Sequence, residues 1–161
     1  MQHDATSTLP QETGALIDHI IRNYHEMHRA DLLSLVPLAE RVAKVHADDP
    51  DLPLGLASAL EALARDMEAH MSKEETILFP AMREGGGAGI EFPISVMRAD
   101  HEEHAQTIAL LRQLTQDFTP PEHACGSWRS LYSGMAMLLE ELTMHIAVEN
   151  NVLFPRFEPT V

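Results

Sequence analysis

Apolar residues recur at three- and four-residue steps along four long stretches of the chain, the spacing that gathers them on one face of an α-helix. The first stretch runs from about Thr13 to His46 through Leu16, Ile17, Ile20, Ile21, Leu32, Leu35 and Leu38. Thr13 is its expected start cap, and Pro37 inside the pattern is expected to kink or divide it. Asp48-Asp49-Pro50-Asp51-Leu52-Pro53 breaks the pattern. The second stretch spans roughly Leu54 to Met82 through Leu56, Leu60, Leu63, Met67 and Ile77, and the glycine run Gly85–Gly89 ends it. The third starts near Pro93, suited to a first helical turn, and reaches about Asp117 before Pro120-Pro121. The fourth runs from about His123 to Phe154 through Trp128, Leu131, Met135, Leu138, Leu139, Leu142 and Ile146. No alternating Val/Ile/Thr-rich run competes. Short connections favour antiparallel neighbours, so the pattern predicts an all-α, up-down-up-down four-helix bundle over residues 13–157, after a flexible N-terminus over 1–12.

Bulk properties narrow the function. With 161 residues one domain can bury a core without staples, and no apolar run approaches the length of a membrane span. The first dozen residues lack the basic start and apolar stretch of a signal peptide, and a single cysteine, Cys125, fits a reducing compartment; a cytoplasmic location is expected. A net charge of −14 disfavours nucleic acid and anionic membranes, whose affinity rests on clustered Lys and Arg. The same acidity suits a buried cation, and the ten histidines are grouped.

The second and fourth stretches carry one phrase twice. His70-Met71-Ser72-Lys73-Glu74-Glu75-Thr76-Ile77-Leu78-Phe79-Pro80 aligns without a gap to His145-Ile146-Ala147-Val148-Glu149-Asn150-Asn151-Val152-Leu153-Phe154-Pro155, both reading His-x-x-x-Glu-x-x-x-Leu-Phe-Pro. The first and third share His25-Glu26-Met27-His28 and His101-Glu102-Glu103-His104. The chain therefore reads as two similar helical hairpins. On a helix, residues four apart share a face about 5–6 Å apart at Cβ, so His70 with Glu74, and His145 with Glu149, can reach one metal, or each Glu can bridge two. One His from each remaining helix completes a set of four imidazoles and two carboxylates, a donor mix known to hold paired irons in bundles. Imidazole suits iron, zinc, copper or nickel, whereas the lack of thiolate donors argues against structural zinc. The spacing leaves open whether His25 or His28, and His101 or His104, faces the metal.

Isolated instances of these features have plainer readings. His3, His19, His46 and His123 are read as surface or core histidines, the nine methionines as core filling, Leu-Phe-Pro as packing and helix termination, and Cys125 as a small buried residue. A lone His–Glu pair four apart is worth only about 0.2–0.5 kcal/mol as a helix-face interaction; its gapless recurrence favours ligands. His-Glu-x-His is not the zinc-protease His-Glu-x-x-His, and neither a nucleophile triad nor a phosphate loop is present.

At these residues the chain resembles hemerythrin-like proteins, most closely the repair of iron centres (RIC, iron–sulfur cluster repair) family. The likeness runs from Leu16-Ile17-Asp18-His19-Ile20 and Tyr24-His25-Glu26-Met27-His28-Arg29, through His70-Met71-x-Lys73-Glu74-Glu75 and Asp100-His101-Glu102-x-His104, to His145-x-x-x-Glu149-Asn150-Asn151-Val152-Leu153-Phe154-Pro155-Arg156. The resemblance implies that His25, His70, His101 and His145 bind two non-haem iron ions, joined by an oxo or hydroxo bridge, with Glu74 and Glu149 bridging. His28 and His104 then line the pocket. Three departures shape the expectation. Oxygen carriers place a further His four residues after the third-helix ligand, where this chain has Ala105, and they end in His-x-x-x-x-Asp rather than His-x-x-x-Glu. Family members also often carry an N-terminal domain with adjacent cysteines, whereas these residues start almost directly at the bundle, which separates any cysteine-dependent half of repair from what they hold.

The expected function is a non-haem di-iron protein of the nitrosative and oxidative stress response. It would bind nitric oxide or dioxygen and support repair of damaged iron–sulfur proteins by iron donation, as a monomer or homodimer. The alternatives are a sensing or storage module for either gas without repair activity, and a plain structural bundle. Because histidine must be neutral to ligate, metal occupancy is expected to fall below about pH 6.

Overall fold

The computed structural model describes residues 9–159, all helix and loop among them, as the sequence pattern predicts. Helix α1 covers residues 13–45, α2 residues 56–83, α3 Glu91–Leu114 and α4 residues 126–157. The ends differ from expectation for local reasons. Glu12, not Thr13, caps α1: its carboxylate accepts from the Gly14 and Ala15 amides at 2.9 and 2.8 Å, while the Thr13 hydroxyl meets Arg156. Pro37 does not divide α1, which runs on through it. The proline is exposed beside the exposed Leu33, so the carbonyl it leaves unbonded faces water. Helix α2 ends on Gly85 at φ 96°, the left-handed residue that closes a helix. Helix α3 stops at Leu114, short of Asp117, because Gln116, Asp117 and Phe118 take positive φ. That strained turn is held by the buried Phe118 ring and by the Thr115 hydroxyl accepting from the Phe118 amide. Most of the expected flexible N-terminus falls on residues 1–8, outside the described residues.

Each helix reads through the same three layers. Going along α1, Leu16, Ile17, Ile20 and Tyr24 belong to one apolar cluster and Leu32, Leu35, Ala39 and Val42 to a second, with His25 and His28 between. The order reverses in α2, where Leu56–Met71 serve the second cluster and Leu78, Phe79 and Met82 the first. It reverses again in α3 and again in α4. Neighbours are therefore antiparallel, up-down-up-down, with α1 and α3 each packed against α2 and α4. Trp128, Leu60, Leu63 and Met135 fill the larger cluster. The polar layer is sealed on both sides, and every helix contributes to it.

Candidate metal centre

Nine polar or charged residues are buried among the described residues, and eight lie in that layer: His25, His28, His70, Glu74, His101, His104, His145 and Glu149. Burying such groups without partners costs several kcal/mol each, so their company is informative. The Nε2 atoms of His25 and His70 lie 3.4 and 3.1 Å from Oε1 of Glu74. Those of His101 and His145 face Oε1 of Glu149, the former at 3.8 Å and the latter in close contact. Two groups of four donors result, His25/His145 and His70/His101, and each includes both Glu74 and Glu149, with the four donor atoms of a group within 4.8 Å of one another. The geometry thus turns His25 and His101 toward the carboxylates. His28 and His104 stand behind.

The donors fit a metal pair. Both oxygens of Glu74, both of Glu149, and Nε2 of His25 and His145 are fully buried without a hydrogen-bond partner, whereas buried polar atoms are ordinarily satisfied. Nε2 of His70 and of His101 point at each other across 3.1 Å. Two donors about 2.1 Å from one transition-metal ion and at right angles lie about 3 Å apart.

Local backbone aims the carboxylates. Glu74 and Glu149 each open a wide, π-type turn, Glu74–Leu78 and Glu149–Leu153, closed by the Phe79 and Phe154 amides donating back to the glutamate carbonyls. Proline explains the repetition: Pro80 and Pro155 cannot bond the carbonyls of Thr76 and Asn151, and their rings would crowd them in a regular helix. Such turns often mark functional sites. Leu-Phe-Pro therefore does more than pack. Phe79 stacks on His25 at 5.6 Å and Phe154 on His101 at 5.7 Å. A third wide turn, Ile21–His25, ends on His25 itself. The proline six residues after each glutamate was the available signal for two of the three.

All four inward imidazoles are anchored at Nδ1, which orients Nε2. His25 bonds Glu75 at 2.6 Å and His101 bonds Asn150 at 2.8 Å, two partners that directly follow the paired glutamates. His70 bonds Asp100 at 3.1 Å, and His145 meets Nε2 of His28 at 3.1 Å. Tyr24 stacks on the His145 ring at 5.2 Å. Arg29 ties down Glu75 at 2.9 Å, and Arg98 holds the Asn150 carbonyl at 3.0 Å.

Electrostatics favour the neutral form of five of the rings. Burial, reinforced by neighbouring imidazoles, pulls His25, His101 and His104 down to about 4 and His28 to about 3, and burial lowers His70. Burial and then the Glu149 charge push Glu74 well above the carboxylate range. Burial opposes ionisation of Glu149 too, but His145 beside it holds it well below. Asp100 stays low, because His70 and Lys73 outweigh its partial burial.

The remaining histidines lie elsewhere. His19 bonds Asn23, His123 pairs with Asp49, and His46 contacts the Cys125 sulfur at 3.2 Å; His3 falls outside the described residues. No described helix is long and apolar enough to cross a membrane.

Residues 16–157 match the hemerythrin HHE cation binding domain. The iron-sulfur cluster repair protein YtfE of Salmonella paratyphi B, and those of Salmonella newport and Salmonella heidelberg, are each 44% identical over 141 residues, 88% of this chain and 64% of the relative. The chain thus spans just under two thirds of the length of these relatives. Sealed between two apolar clusters, with its buried donors drawn from all four helices, the chain belongs to the hemerythrin HHE cation-binding domain family.

Proposed function

We propose that this chain is a non-haem di-iron protein of the nitrosative and oxidative stress response, which binds nitric oxide or dioxygen and supports repair of damaged iron–sulfur clusters by donating iron. One observation carries the reading: two four-donor groups share both buried carboxylates, an arrangement that suits a coupled pair of ions better than one ion or two independent ones. His25 and His145 would hold one iron, His70 and His101 the other, with Glu74 and Glu149 common to both. When bound, a ferrous pair supplies electrons and open coordination positions for a diatomic gas. The chain's own residues do the rest. Glu75, Asp100, Asn150 and His28 hold the imidazole rings with Nε2 inward, and the apolar clusters exclude bulk water. A small void bordered by Met67, Met71, Leu142 and His104 lies against the rings of His70, His101 and His145 and is apolar enough for an uncharged gas.

Iron donation is supported by the carboxylates and by the likeness to proteins named for iron–sulfur cluster repair. A glutamate with two unpartnered oxygens can move from a shared to a single position, loosening an ion stepwise. Anaerobic nitric oxide titration of the ferrous protein tests gas binding: a new visible absorption saturating with added gas is expected, and an unchanged spectrum sinks it. Transfer is tested by mixing iron-loaded chain with a cluster-depleted apoprotein and following cluster reassembly.

A further inference from the structure

His28 and His104 occupy the same place in the two copies of the repeat, three residues after the inward imidazole of α1 and of α3. Both are buried, and neither belongs to a four-donor group. Their contacts differ. Nε2 of His28 lies 3.1 Å from Nδ1 of His145. His104 stands edge-on to His70 at 5.2 Å, but Nδ1 of His70 is already held by Asp100. The residue matching Asp100 in the first copy is Tyr24, which stacks on His145, and the structure gives it no hydrogen bond to that ring.

We propose that His28 is the positioning residue of the His25/His145 metal position, accepting the Nδ1–H of His145 so that its Nε2 lone pair is free to bind a cation. Proton placement on the two rings decides this role, given the metal-binding reading above. A ligating nitrogen carries no proton, so the His145 proton sits on Nδ1. Its hydrogen bond then requires an unprotonated Nε2 on His28, leaving the His28 proton on Nδ1. That atom is buried without a partner. The opposite tautomer would have His28 donate to Nδ1 of His145, move the His145 proton to Nε2 and block the ligand. His104 has no such task, because a carboxylate already orients His70. Equivalent in sequence, the two histidines are unequal in role.

Anaerobic ferrous-iron titration of the full chain tests this, comparing wild type with His28→Leu, His28→Gln and His104→Leu, each checked for fold by circular dichroism. Loss of an outer hydrogen bond to a metal-bound histidine typically weakens affinity about 10–100-fold. His28→Leu is expected to weaken one of two ferrous ions by that factor and leave the other. His28→Gln, whose amide oxygen can accept from His145, restores most of the loss, and His104→Leu keeps both ions. If His28→Leu does not fold, His28→Met takes its place as a flexible side chain lacking the ring acceptor. Nitrogen-15 NMR of wild type loaded with diamagnetic zinc adds a second readout, with His28 expected as the Nδ1–H tautomer. Wild-type iron binding in His28→Leu, equal losses in His28→Leu and His104→Leu, or an Nε2–H tautomer would each overturn the proposal. A wild-type chain that binds no iron overturns it together with the metal reading; a wild type that binds two ions, with His28→Leu unchanged, overturns this proposal alone.

Discussion

The two helical hairpins carry the same phrase but do not support it in the same way. In the first, α1 and α2 supply His25 anchored by Glu75, and His70, whose anchor Asp100 comes from the other hairpin. In the second, α3 and α4 supply His101 anchored by Asn150, and His145, whose anchor His28 comes back from α1. The two four-donor groups divide differently again. His25 joins His145, and His70 joins His101, so each position draws one imidazole from each hairpin. A duplicated segment has become half of two sites rather than the whole of one. Each position combines one imidazole backed by a carboxylate with one backed by a neutral group, and only Glu74 and Glu149 belong to both.

The shared glutamates give the sharpest way to break this arrangement. Glu74→Ala or Glu149→Ala is expected to impair both positions together and drop iron content from about two per chain to well below one. Loss of a single ion would instead mean that each carboxylate serves its own position. Iron removal should follow in size. Each ion present at a hundredfold excess over its Kd adds about 2.7 kcal/mol, roughly 5–10 °C in Tm for a chain of this size. Calorimetry of loaded and chelator-treated protein measures it.

The metal-free chain should lose stability as pH falls. His25, His28, His101 and His104 titrate at about 3 to 4 in the fold against an ordinary 6.5. The unfolded chain therefore takes up protons first, and the stability that these rings contribute, complete above about pH 6.5, drains away between there and about 3. The slope is on the order of 1 kcal/mol per pH unit for each ring while it lasts, and Tm measured against pH reports it.

How much of this was legible depends on whether a feature is local. The ligand phrase could be read because positions four apart share a helix face, and the bundle because apolar spacing on each stretch is regular. The pairing of His25 with His145 could not be read, since it depends on how the hairpins cross. The wide turns left only a proline as their trace, and they re-aim Phe79 and Phe154 onto imidazoles of other helices. The division of labour between His28 and His104 was invisible for the same reason: it is decided by Asp100 and Tyr24, single residues on neighbouring turns.

Smaller changes sharpen the contrast between hairpins. Glu75→Gln removes the anion behind His25 and makes that ring resemble His101 with Asn150; about tenfold weaker ferrous binding at one position is expected, with the other unchanged in the same titration. The least effect is expected from Phe154→Leu, which loses the stacking on His101 and part of the buried volume. A cost of about 1 kcal/mol should appear in urea unfolding, with iron stoichiometry preserved.

On the proposed reading, six side chains from four helices hold one coupled pair of irons through two shared carboxylates. Metal analysis combined with Mössbauer spectroscopy on anaerobically prepared chain, then oxidised, tests it most directly. Two irons per chain with a diamagnetic ground state from antiferromagnetic coupling are expected. A single iron, or two irons with independent paramagnetic spectra, would contradict it.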